Sequence, residues 1–215
     1  MIGIGAYSAA PRLPNAVPDA MAMGQALGRQ GYAVTTVVNP DRDTLLVALA
    51  RLRLQSQEAR VTVIYVAAHG AFVGGESFIY AADTSGSLSE AIPVRVLAQA
   101  ISDRPRQKLI LIDACREPPF NLSPKPQPPP QAPMAGLQLE YAAQPGAPAY
   151  DGGAGAHGPF AAAWVAALGS EISDFGELAR RVRLDVLRAT GGRQIPWSQS
   201  SLLRPLDLVA APQTQ

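Results

Sequence analysis

The chain has 215 residues, and its 18 basic and 17 acidic residues almost cancel. That length supports one domain with a full core, and the near-neutral balance, free of basic runs, offers nothing to a polyanionic partner such as nucleic acid. The single cysteine excludes an intrachain disulfide and a cysteine-based zinc cluster; with no membrane-length apolar run and no signal-peptide pattern at Met1-Ile2-Gly3-Ile4-Gly5, the chain reads as soluble and cytoplasmic. In chain order, a short apolar strand breaks at Gly5 and a loop follows through Pro11, Pro14 and Pro18. Gly3 and Gly5 hint at a dinucleotide-binding turn, but the third glycine is absent and prolines stand where its helix should start. Asp19 can cap a helix carrying Ala20, Met23 and Leu27 on one face, Gly31 ends it, and residues 32–38 read as a strand. Asp43 or Thr44 opens the next helix, striped by Leu45, Leu49 and Leu52.

Residues 61–66 form an apolar strand that closes at Ala67-Ala68-His69-Gly70. A turn at Gly74-Gly75 and a short strand over 78–81 follow, then a helix over about 93–102 with Val94, Leu97 and Ile101 inward. The run Leu109-Ile110-Leu111-Ile112 has the composition of a strand buried on both faces, and it opens into Asp113-Ala114-Cys115-Arg116. Beyond it the composition changes, and a proline-rich loop at about 118–135 can be neither helix nor central strand. Residues 137–141 alternate like a strand, and residues 151–158 are Gly-rich. Two helices finish the pattern, an apolar one over 160–168 and a basic amphipathic one striped by Phe175, Leu178, Val182 and Val186, capped by Asp174 and stopped by Gly191-Gly192. Strands alternating with helices predict an α/β sandwich.

Cys115 and His69 each follow the carboxyl end of an apolar strand, where α/β proteins place their chemistry. Were those strands neighbours in one parallel sheet, thiol and imidazole would emerge side by side, as a cysteine nucleophile and its acid/base partner require. Each residue also has a plainer reading. A lone cysteine can be a small buried hydrophobe, Asp19 a helix cap, Asp113 a structural acid, and Asp83 a loop cap. His157 reads as solvent-facing, and Trp197 as either a groove wall or core.

Several pieces resemble, in order over nearly the whole chain, the caspase-like cysteine peptidases in their bacterial metacaspase or orthocaspase branch. They are Gly3-Ile4-Gly5-Ala6-Tyr7, Leu13-Pro14-Asn15-Ala16-Val17 with Asp19-Ala20, Ala68-His69-Gly70, Ile112-Asp113-Ala114-Cys115-Arg116, Gly158-Pro159-Phe160, Gln194-Ile195-Pro196-Trp197 and Ser200-Ser201-Leu202. The step of 46 residues from His69 to Cys115 is close to the caspase spacing of about 50.

The resemblance implies one caspase-like domain over residues 1–215, a three-layer sandwich of about six mainly parallel strands with helices on both faces. It implies a cysteine endopeptidase in which Cys115 attacks, His69 protonates the leaving amine, and the backbone N–H groups of Gly70 and Cys115 form the oxyanion hole. A side chain at Gly70 would obstruct the carbonyl's approach. Asp113 and Asp19 match the acids that, in metacaspase-like enzymes, select arginine or lysine in a protein substrate, whereas true caspases use arginines to select aspartate. No cofactor is implied; calcium activates parts of that family, and no EF-hand-like loop occurs here. Ala67 departs from the pattern, standing where a small polar residue is usual. The competing classes are a catalytically silent scaffold or partner-binding module, with the proline-rich loop as its contact, and a nucleotide-binding domain built on the first glycines. A regulatory protein partner is compatible with the peptidase and with the silent scaffold.

Overall fold

The computed structural model describes residues 1–101, 107–115, 135–153, 155–206 and 208. Its centre is a six-stranded sheet in the order β2-β1-β3-β7-β8-β9, formed by Val37–Val38, Ile2–Gly3, Val61–Ala67, Gln107–Asp113, Leu137–Tyr141 and Trp197–Ser200. All pairs are parallel except β8 with β9. A second sheet of Gly70–Val73 (β4), Glu76–Ile79 (β5) and Ile92–Pro93 (β6) is antiparallel. The helices are Ala16–Arg29 (α1), Arg42–Gln55 (α2), Val94–Gln99 (α3), Pro159–Leu168 (α4) and Phe175–Ala189 (α5).

Strand alternation divides the core in two. On β3 and β7 the odd-numbered Tyr65, Ala67, Leu109 and Leu111 pack under α1, α4 and α5, while the even-numbered Ile64, Val66, Ile110 and Ile112 pack against α2 and α3. Both faces of these strands are therefore apolar, as their composition predicts, and helices cover each side. The all-round apolar α4 lies between α1 and α5, with Phe160 and Trp164 fully buried. Among the described residues no helix is long and apolar enough to cross a membrane.

The boundaries differ from the sequence pattern in ways that matter to the site. α1 starts at Ala16, so Asp19 is a buried residue of its first turn and not its cap. Pro18 is tolerated there because first-turn N–H groups have no helical partner to lose. Asp41, rather than Asp43 or Thr44, caps α2, its Oδ1 accepting from the Thr44 N–H at 2.7 Å. The strand expected over 32–38 shrinks to Val37–Val38, since it is an edge strand whose only neighbour, β1, is two residues long. Gly3 and Gly5 serve close packing rather than a nucleotide. A Cβ on Gly3 would lie 2.7 Å from the Ala16 carbonyl oxygen, and one on Gly5 would collide with that of Leu13. The proline-rich stretch of about 118–135, all but its last residue, and Arg116 lie outside the described residues.

Candidate active site

β3 and β7 run in register from Val61↔Gln107 to Ala67↔Asp113. His69 and Cys115 each follow two residues beyond that last pair, and as odd-numbered residues they leave the sheet on the α1/α4/α5 side. Neighbouring strands are about 4.8 Å apart, so the register alone brings imidazole and thiol to one pocket. That pocket is lined by Leu13, Asp19, His69, Asp113, Cys115 and Asp151, among others.

His69 is 8% exposed and held from several directions. Its Nε2 lies 2.7 Å from the Pro11 carbonyl oxygen, which can only accept, so Nε2 carries the proton and Nδ1 keeps its lone pair for chemistry. Tyr80 N–H donates to the His69 carbonyl at 3.0 Å, but the other half of that ladder pair is bridged by a side chain. His69 N–H donates to the Tyr7 hydroxyl at 2.8 Å, and that hydroxyl donates to the Tyr80 carbonyl at 3.3 Å. The Tyr7 ring, 4.6 Å between centroids, leans on the imidazole. Burial lowers the His69 pKa, partly opposed by the Pro11 carbonyl, which favours a neutral ring. The Cys115 thiol donates to the Ala149 carbonyl at 3.2 Å.

Gly70 follows His69 directly. Because His69 and Tyr80 form a hydrogen-bonding pair of the β4–β5 ladder, alternation makes Gly70↔Ile79 the non-bonded pair and turns the Gly70 N–H away from β5. The reason for glycine differs from the sequence expectation. A Cβ there would meet the Cys115 carbonyl at 2.8 Å and the Ala114 Cβ at 2.9 Å, so it is the turn's packing on the end of β7, not an open approach path, that forbids a side chain.

Three carboxylates share the pocket. Asp113 accepts from the Tyr65 hydroxyl at 2.7 Å, and burial, reinforced by the charges of Asp19 and Asp151, pushes its pKa up to about 7. The residue as a whole is half-buried. Asp19 accepts from His157 Nδ1 at 2.6 Å and from the Gly158 N–H at 3.1 Å; burial raises its pKa, and those two donors oppose the rise. Asp151 accepts from the Asn15 N–H at 3.3 Å, and burial raises its pKa as well. Among the described residues that line the pocket none is an arginine or lysine. Among the described residues no group of three or more His, Cys, Asp and Glu is placed to hold a metal ion.

The sequence reading thus named four of the residues brought together here: His69, Cys115, Asp113 and Asp19. It missed Asp151, the Pro11 and Ala149 carbonyls and the role of His157, which is not merely solvent-facing. The Asp83 cap reading agrees with the structure, since its Oδ1 accepts from the Arg42 N–H at 3.0 Å. Trp197 stands on the edge strand β9, 44% exposed, apart from this pocket and from the core. Arg12, the arginine that precedes Leu13 of the pocket lining, is exposed.

A parallel sheet carrying a thiol and an imidazole on adjacent strand ends is the architecture of a class of cysteine peptidases. The chain belongs to the caspase domain family, whose model (Peptidase C14) matches residues 1–207. The crystal structure of caspase-1 from Spodoptera frugiperda is similar, with a TM-score of 0.75 at 17% sequence identity over 100% of this chain and 90% of that one. At that identity the likeness shows the fold. A search of curated protein sequences gives no match.

Proposed function

We propose that the chain is a cysteine endopeptidase of the metacaspase or orthocaspase type, one domain over residues 1–215, that cuts after arginine or lysine. The observation that carries this reading is the pocket's charge: among the described residues that line it are three carboxylates and no guanidinium or ammonium group. A substrate cation buried there gains charge-assisted hydrogen bonds, while a substrate aspartate would place a further carboxylate among acids whose pKa values burial already raises. Asp113 and Asp19 are the acids expected from the sequence, and Asp151 joins them.

In the proposed reaction His69 Nδ1 takes the thiol proton and the Cys115 thiolate attacks the scissile carbonyl. The oxyanion is held by the N–H groups of Gly70 and Cys115; support for the first is its turn away from the β4–β5 ladder. The imidazolium then protonates the departing amine, and water releases the acyl group from sulfur. The chemistry calls on no cofactor, since nucleophile and acid come from the chain. A cytoplasmic location fits a chain that carries one cysteine.

A thiol-reactive peptide ending in arginine tests the reading. It should label Cys115 rapidly, with the adduct located by mass spectrometry, while the matched aspartyl probe labels slowly. Equal labelling by both probes would leave a reactive cysteine without the proposed specificity, and no labelling by either would favour the silent scaffold.

A further inference from the structure

Asp19 depends for its orientation on a segment far away in the chain. It belongs to the first turn of α1, yet both its oxygens are engaged by consecutive residues ahead of α4, His157 at Oδ1 and Gly158 at Oδ2. A carboxylate only accepts, so the His157 nitrogen facing it, Nδ1, carries a proton. The two side chains are unequally placed. That of Asp19 is 3% exposed, whereas that of His157 is 44% exposed, so apolar burial of the ring does not account for the contact. The buried acid needs donors more than the ring needs shelter.

The segment presenting His157 is itself held at fixed points. Asn15 Nδ2 donates to the carbonyls of Asp151 at 2.5 Å and Gly153 at 3.0 Å. Tyr150 N–H donates to Gln194 Oε1 at 2.9 Å, and Gln194 is fully buried. The backbone turns tightly at Gly152, whose φ of +81° suits glycine and where a Cβ would lie 2.7 Å from the His157 carbonyl oxygen. His157 is therefore offered to Asp19 from a braced loop.

We propose that His157 is a positioning residue for substrate selection: it fixes the Asp19 carboxylate so that the remaining lone pairs face a substrate cation. Each Asp19 oxygen gives one acceptor site to the loop, and a carboxylate has about four, which leaves one per oxygen for the two N–H groups of a guanidinium. The inference rests on the reading of this pocket as the site for arginine or lysine. It predicts that a change at His157 appears in substrate affinity rather than in the chemical step, because the ring bonds Asp19 and is not among the residues that line the pocket with Cys115 and His69.

The test is steady-state kinetics of the full chain on an arginine peptide, comparing wild type with His157→Ala, His157→Asn and Gly158→Ala. Loss of a hydrogen bond to a charged group should raise KM about tenfold or more in His157→Ala, with kcat within roughly threefold. Asn offers Nδ2 at the same bond count from the backbone as Nδ1, so His157→Asn should return KM to within about threefold of wild type. A purely structural role would lower the active fraction, which reduces kcat and leaves KM alone. Gly158→Ala covers the case in which His157→Ala does not fold. Its φ of −56° accepts alanine, but the new Cβ would sit 3.0 Å from Asp19 Oδ2, and KM should rise severalfold. An unchanged KM in the folded variants, or no rescue by asparagine, overturns the inference while the pocket reading stands. Failure of the wild type to prefer basic peptides overturns both.

Discussion

His69 and Cys115 follow two strands that share seven residue pairs, whereas Asp151 and His157 are held by a few hydrogen bonds, to Asn15 and to Asp19, between segments 136 to 138 residues apart. The first arrangement is carried by the most buried part of the molecule. The second is carried by hydrogen bonds worth about 1 to 3 kcal/mol each when a charged group is involved. Removing a strand-end side chain should therefore delete chemistry and spare the fold, while removing a loop tie should loosen geometry and stability together. Asp113 belongs to both halves, since a strand delivers it and the other two acids tune it.

The largest effects belong to the strand ends. Cys115→Ala should abolish peptide cleavage and change unfolding free energy by no more than about 1 kcal/mol, as one partly exposed sulfur contributes little packing. His69→Ala should cost about 10² to 10⁴ in rate, the usual worth of a general acid. Turnover and urea unfolding measured on the same samples check the pair. Activity persisting in Cys115→Ala would break the comparison at once.

Asp113→Asn comes next and separates the two halves most sharply. A buried substrate cation left without its carboxylate costs about 3 to 5 kcal/mol, so kcat/KM on basic peptides should fall by roughly 10² to 10⁴-fold. Stability should move the other way. With its pKa raised to about 7 in the folded state, Asp113 holds its proton there at pH values where the unfolded chain has lost it. Its contribution is complete below about pH 4 and disappears as pH rises through 7. Three units at about 1.36 kcal/mol each make roughly 4 kcal/mol, so the asparagine variant should gain up to that amount at pH 8 and almost nothing at pH 4. Thermal unfolding across that range measures it; a variant no more stable than wild type at pH 8 would contradict the burial argument.

This division also explains what could be read from the residues alone. The alternation of β3 and β7 and the strand-end positions of His69 and Cys115 depend on local pattern, and the two-sided core follows from the same pattern, whereas the count of about six strands rests on the family resemblance. Asp151 and His157 sit among glycines with no periodicity, and what ties them to the site is the reach of Asn15 and Asp19 across the chain. The Pro11 and Ala149 carbonyls carry no side-chain signal at all. β9 escaped notice because its residues are largely exposed and it pairs along one edge only. Asp19 looked like a cap because the helix start was placed too late, past a proline that its first turn accommodates.

The smallest effect should come from the loop tie. Asn15→Ala deletes both side-chain bonds to the Asp151 and Gly153 carbonyls from a residue only 2% exposed, and should cost about 1 to 3 kcal/mol of stability. Hydrogen exchange should quicken over residues 149–153 and 155–158 while β3 and β7 stay protected. Uniform quickening through the sheet would show that the loop and strand halves are not separable.

The central claim is that a carboxylate-lined pocket beside the Cys115 thiol selects a basic residue, and the ratio of kcat/KM for matched arginine and aspartate peptides tests it most directly. Burial of an unpaired or like charge at about 3 to 5 kcal/mol predicts a preference for arginine of at least roughly 10²-fold. Equal rates, or a preference for aspartate, would contradict the pocket assignment while leaving the thiol and imidazole in place.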